Sequence, residues 1–129
     1  MGARFLWVFT SFRGRIGRQV YWLAWIGVDA IIGAILFSSD ILTVDMETGA
    51  FQMDGGSELF SLIFMISLVL QVIISVKRLH DFGFSGYYAV VLMIPTVNFI
   101  AALALGFIPG KAGPNQYGER PDVVPPPVT

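Results

Sequence analysis

Cysteine is absent from this 129-residue chain, and histidine occurs once. No disulfide, thiolate metal site or cysteine nucleophile is therefore open to it. A single histidine without cysteine also argues against zinc, which is usually held by three or four protein ligands. Charge is scarce too: Asp, Glu, Lys and Arg make up 13% of the residues, against about a quarter in a soluble domain. No extended basic stripe is present, which argues against nucleic-acid binding. No nucleophile motif accompanies His80, so no enzyme, metal or cofactor is expected. There is no internal repeat, and the length suits one domain.

Apolar residues fill the gap. They make up 55% of the chain, and three stretches, about 20–38, 59–76 and 87–108, hold most of them. A helix needs about 20 mostly apolar residues to cross a hydrocarbon core about 30 Å thick. The expectation is an all-α polytopic membrane protein: a three-transmembrane-helix bundle with a short interfacial N-terminal segment. A single membrane domain covers 1–121, and a Pro-rich tail, 122–129, is expected to be disordered. The first run is longer than a signal-peptide core and no A-x-A-like site follows it, so it reads as an uncleaved span. Before it, Phe5, Leu6, Trp7, Phe9 and Phe12 beside Arg4 and Arg13 suit the headgroup region. Gly17 suits an N-cap, with a helix starting near Arg18. Pro95 interrupts the third stretch and is expected to kink it, and Pro109 with Gly110 stops it.

Charge is sorted by loop. Arg4, Arg13, Arg15 and Arg18 precede the first stretch. The 39–58 loop carries only acids, and Lys77, Arg78, His80 and Asp81 follow the second stretch. Basic residues stay on the cytoplasmic side of inserted helices. The N-terminus and the 77–86 loop are therefore expected in the cytoplasm, and the acidic, mobile 39–58 loop outside.

Each stretch holds one strongly polar residue: Asp29, Gln71 and Asn98. A carboxylate at mid-bilayer costs about 2.5–3.5 kcal/mol on insertion scales, so Asp29 should face the bundle interior. Depth counted along the third stretch makes Asn98 its hydrogen-bond partner, with Gln71 about 5 Å nearer the cytoplasm. The simpler role for the three is glue between helices. The sharper one is an ion or proton path, which would need an oligomer to gather several Asp29 residues.

Arg15, Arg18, Lys77, Arg78 and His80 form a basic set at the cytoplasmic surface, beside glycine turns. They are candidates for binding a phosphate or an anionic lipid headgroup. The alternative is ordinary: they fix topology, and Asp81 ties an arginine or His80 to a helix end. His80 reads as structural rather than catalytic. Asp81 and Gly86, with Asn115, Tyr117 and Gly118, make up the remaining motif; Asn115 and Tyr117 with Gly113 and Gly118 read as a turn packed on the surface or as a lid over the basic set.

Three signatures stand in order around the apolar stretches. They are the run FRGRIGR at 12–18 with Tyr21 and Trp22, KRLHD at 77–81 with SGYY at 85–88, and Pro109, Gly110, Gly113, Asn115, Tyr117 and Gly118. Over about residues 9–121 the chain resembles the domain of unknown function 805 family of small bacterial inner-membrane proteins. Gly17, Lys77, Tyr87 and Tyr88 stand where that family more often has a small hydroxyl, an arginine and two tryptophans. The resemblance implies a multi-pass inner (plasma) membrane protein with no established activity.

Three crossings would put the third signature on the opposite side from Arg15 and Arg78. A re-entrant pair broken at Pro95 would return it to the same side. Three crossings are the expectation. The function expected is a non-enzymatic membrane binding or scaffold protein of uncharacterised role. Its partners would be the lipid bilayer, anionic lipid headgroups, and a second copy or another membrane protein. The alternative is a small channel or transporter subunit built on Asp29 in an oligomer.

Overall fold

The computed structural model describes residues 2–53 and 58–126. Its elements in order are α1 (Gly2–Thr10), α2 (Arg18–Ser38), β1 (Leu42–Val44), β2 (Phe51–Met53), α3 (Glu58–Asp81), a 3₁₀ helix (Gly86–Met93) and α4 (Pro95–Phe107).

Helices α2 and α3 are long and apolar enough to cross a membrane. Their apolar side chains largely face outward: Leu23, Ile26, Ile31 and Phe37 on α2 and Leu62, Phe64, Ile66 and Val69 on α3 are exposed. A soluble protein rarely leaves so continuous an apolar face bare. The core lies between the helices, where Tyr21, Ala24 and Val28 of α2 meet Ile74, Val76 and Leu79 of α3 and Leu105 of α4. As expected, Gly17 is the N-cap of α2, in extended backbone (φ −76°, ψ 170°). It carries no capping side chain, and its N–H is bonded instead to Asp122 Oδ1 at 2.9 Å. A Cβ at position 17 would stand 2.9 Å from Asp122 Oδ2, so this close approach needs glycine.

The third apolar stretch is not one span, and the three-helix bundle is corrected accordingly. Ile94 is extended (φ −86°, ψ 113°) and Pro95 opens α4 at its first position. A residue before proline avoids helical backbone, and proline suits the first helical turn, whose N–H groups lack intrahelical partners anyway. Pro95 thus begins a helix where a kink within one was expected. The 3₁₀ helix is 8 residues and α4 is 13, about 16 Å and 20 Å at their respective rises. Neither reaches across about 30 Å of hydrocarbon. The stretch also leaves and rejoins the same end of α3. Gly86 lies against Val76 and His80, and Gly110 against Asp81, whose carbonyl accepts from Lys111 N at 2.9 Å. On the way back α4 lines α2: Tyr21 donates to Ala102 O (3.2 Å) and Trp22 Nε1 to Gly106 O (3.1 Å).

Two smaller departures concern the loops. The 39–58 loop is not wholly irregular. Leu42, Thr43 and Val44 pair antiparallel with Met53, Gln52 and Phe51. Asp45 Oδ1 accepts from Glu47 N and Thr48 N at the turn, both at 2.9 Å, an Asx-type closure. At the other end Asp122, expected to begin a disordered tail, donates its N–H to Arg15 O at 2.9 Å. Residues 127–129 of that tail lie outside the described residues.

Candidate functional site

Helix α3 ends by presenting Lys77, Arg78, His80 and Asp81 to three other segments, all four buried. Asp81 is the hub. One carboxylate oxygen accepts from Arg15 Nε at 2.7 Å, and the other from Arg78 Nη1. The two guanidiniums then turn to carbonyls. Arg15 Nη2 donates to Lys111 O (2.7 Å) and Nη1 to Gly113 O (2.8 Å). Arg78 donates from Nε to Leu105 O (2.7 Å), from Nη2 to Ile108 O (2.7 Å) and from Nη1 to Ile16 O (3.2 Å). Leu105 and Ile108 end α4, so Arg78 caps that helix with a cation where its dipole is negative. Gly110 makes room for the hub: a Cβ there would stand 1.9 Å from Asp81 Oδ2.

Lys77 ties in the amino-terminal helix. Its Nζ donates to the carbonyls of Trp7 and Val8 and lies 4.4 Å above the Trp7 ring. Burial pushes the ammonium down to about 8, since Lys77 lies past the apolar run of α3 with carbonyls but no carboxylate beside it. Burial likewise lowers the Arg78 guanidinium, and Asp81 opposes that shift.

His80 is held on three sides. Its Nδ1 stands 3.0 Å from Gly14 O, its ring stacks on Tyr117 with centroids 3.8 Å apart, and its carbonyl accepts from Asn115 Nδ2 at 2.8 Å. Burial lowers its pKa, the Gly14 carbonyl opposes this, and the Lys77 charge adds to it. Asn115 Oδ1 accepts from Tyr117 N (2.9 Å), and Asn115 and Gly118 exchange backbone bonds. The 115–118 turn therefore lies over His80 as a fixed cover.

Of the sequence-derived candidates, Arg15, Lys77, Arg78, His80, Asp81, Gly86, Asn115, Tyr117 and Gly118 come together at one end. Arg18 stays exposed, with a long bond to Phe107 O (3.4 Å). The intramembrane pairing is corrected. Asp29 Oδ1 accepts from Gln71 Nε2 at 2.9 Å, not from Asn98, and Asp29 is exposed on the surface of the chain. The cause is the break at Pro95. Since α4 runs back along α2 with Ala102 beside Tyr21, Asn98 reaches only the level of Trp25, about one turn short of Asp29. Trp7 and Asp122 belong to the site and carry little sequence signal, since their partners are a lysine on another helix and the backbone of a neighbouring turn, whereas Tyr21 and Gly110, also in the site, stand in the sequence signatures.

Beside this knot lies a groove of about 540 Å³, walled by Val72 and Val76 of α3, by Ala89, Val90 and Met93 of the 3₁₀ helix, and by Phe12. His80, Ser85 and Tyr117 line its polar end.

No solved structure matches the chain. Among curated proteins, inner membrane protein YhaI of Escherichia coli (strain K12) is 28% identical over 116 residues, covering 88% of this chain and 87% of that one. Inner membrane protein YhaH of the same strain is 27% identical over 118 residues, 91% and 92% of the two chains. The uncharacterized protein YiiR, also from that strain, is 31% identical over 139 residues, 88% and 86%. A family model described as a protein of unknown function, DUF805, matches residues 9–119, a span that includes Arg15, Asp81 and the 115–118 turn and so most of the knot. The chain belongs to that DUF805 family.

Proposed function

We propose that this chain is a non-enzymatic inner-membrane binding or scaffold protein. Two spans and a re-entrant pair keep residues 12–18, 77–86 and 109–122 together on the cytoplasmic side. The observation that carries the reading is the use made of the buried cations. Arg15, Lys77 and Arg78 direct their donors at carbonyls and at Asp81, so they form a lock and offer no open anion site. The basic residues left exposed at the same end, Arg13, Arg18, Lys111 and Arg120, flank the lock and suit anionic headgroups or an acidic partner. The positive-inside rule supports this orientation, because the opposite hairpin carries Asp40, Asp45 and Glu47.

The test is lipid preference in bilayers that mix phosphatidylglycerol with phosphatidylcholine, read with spin-labelled lipid. The Arg13, Arg18 and Lys111 to Gln triple variant should lose most of the preference for the anionic lipid, since each base near the surface contributes about 1 kcal/mol. Unchanged preference would overturn the reading. A cytoplasm-only fluorescent reporter fused after Thr129 should fluoresce. A periplasm-only phosphatase that is active there instead would refute the re-entrant arrangement.

A second reading rests on the exposed Asp29–Gln71 pair. A second copy laid on this face would cover a carboxylate that lipid tolerates poorly, and the polar lining so formed suits a small channel or transporter subunit. Proteoliposome flux unchanged by Asp29→Asn would count against it.

A further inference from the structure

The groove beside the knot has a polar end of defined sense. Gly14 O can only accept, so the proton on the neutral His80 ring sits on Nδ1, which is 3.0 Å from that carbonyl. The opposite nitrogen, Nε2, then carries a lone pair. It has no hydrogen-bond partner among the described residues, and it faces Gly86, where a Cβ would stand 3.3 Å from it. Both residues line the groove. Ser85 Oγ accepts from Tyr87 N at 3.4 Å, which leaves its hydroxyl proton free. The polar end therefore offers an acceptor at Nε2 and a donor at Ser85, together with the hydroxyl of Tyr117, which also lines it.

From that end the groove runs along α3 from His80 to Val72, about 12 Å by helical rise, and its walls become apolar, mostly aliphatic with the Phe12 ring beside them. The rim residues Tyr87, Val90 and Met93 are exposed, so the groove opens sideways onto the apolar surroundings of α3. A phosphate or carboxylate can accept from Ser85 but finds no proton to accept at Nε2. An ammonium would sit beside a cluster in which Arg15, Lys77 and Arg78 outnumber Asp81. A neutral hydroxyl donates to Nε2 and accepts from Ser85, and an attached chain fills the aliphatic part.

We propose that this groove is a binding site for a neutral long-chain lipid with one free hydroxyl, held by donation to His80 Nε2. The site is distinct from the basic rim and takes its selectivity from a proton that the lipid must supply.

The experiment uses the full chain in phosphatidylcholine nanodiscs, with a diazirine-bearing hexadecanol and its methyl ether as probes. They differ only in the donor hydrogen. Labelling in residues 72–93 should favour the alcohol by about two- to tenfold, the range expected for one net hydrogen bond. His80→Asn retains a donor for Gly14 O but has no acceptor at the Nε2 position. It should keep labelling and lose the alcohol preference. Met93→Trp, at an exposed site, should block both probes without disturbing the fold. Diacylglycerol and an isoprenoid alcohol serve as unlabelled competitors, and displacement by one of them identifies the source of the hydroxyl. Equal labelling by alcohol and ether, labelling unchanged by Met93→Trp, or displacement by neither competitor would overturn the proposal.

Discussion

Asp81→Asn is the sharpest perturbation of the knot. The carboxylate serves two guanidiniums, and Arg15 and Arg78 are 1% and 0% exposed. Asparagine has nearly the same shape, but it is neutral and puts an N–H₂ where one guanidinium needs an acceptor. Two buried cations then face carbonyl dipoles alone. Removing one partner from a buried ion pair typically costs about 3–5 kcal/mol, because the remaining charge is left uncompensated. The upper half of that range applies here, since two cations lose one anion. The assay is equilibrium unfolding of the full chain in mixed micelles, followed by tryptophan fluorescence, with limited proteolysis at the 109–118 segment as a local readout. That segment is tied by Lys111 N to Asp81 O and by Arg15 to Lys111 and Gly113, so it should become cleavable before α2 and α3 unfold. Replacing Arg15, Arg78 and Asp81 together with methionine should not recover the loss, because the carbonyls of Ile16, Leu105, Ile108, Lys111 and Gly113 then lose their donors. A cost below about 1 kcal/mol for Asp81→Asn, against that expectation, would refute the claim that the carboxylate neutralises the knot.

Other outcomes follow from single contacts. Gly110→Ala should open the knot as severely as Asp81→Asn, because its Cβ would overlap Asp81 Oδ2 at 1.9 Å. Gly33→Ala has open space around it and should be neutral or stabilising by up to about 1 kcal/mol in the same unfolding assay. Lys77 has a folded pKa of about 8, below the ordinary value of 10.5, so the unfolded chain binds the extra proton between those limits. Stability should therefore rise with pH from about 8 to 10.5, and Lys77→Met should remove that rise from unfolding curves taken across the window. A double-mutant cycle on Asp29→Ala and Gln71→Ala should give a coupling of about 0.6 kcal/mol, the average for hydrogen bonds between membrane helices. A much larger coupling would contradict a pair exposed on one chain.

The parts of this fold that follow from apolar runs and loop charge are legible in the sequence. The first two stretches match α2 and α3 to within two residues at three of their four ends; α3 runs five residues further, so that Lys77 to Asp81, expected in a loop, form its last turn. Pro95 is where legibility fails. A proline in an apolar run can kink a helix or begin one, and only the contacts of Gly86 and Gly110 with one helix end decide between them. Asn98 was mispaired for the same reason, since its depth was counted along a helix that does not exist. The basic set and its tie to Asp81 are legible as a possible lock, but the carbonyl partners of the cations are not. Arginines that bond to carbonyls leave no complementary side chain to find, and Asp81 alone hinted at it. In the 39–58 loop, Asp45 and Gly49 carried a turn signal that the acidic composition obscured.

The lock also has a timetable. Arg15 closes on carbonyls 96 and 98 positions later, and Gly17 on a carboxylate 105 positions later. At about 5–20 residues per second of synthesis, Arg15 waits roughly five to twenty seconds between leaving the ribosome and meeting its last acceptors. During that interval α2 and α3 can already insert, while Arg15 and Arg78 lack the carbonyls of α4 and of the segment beyond it. A chain halted before Leu105 would hold α2 and α3 with both guanidiniums underpaired, a state that a protease could distinguish from the finished protein.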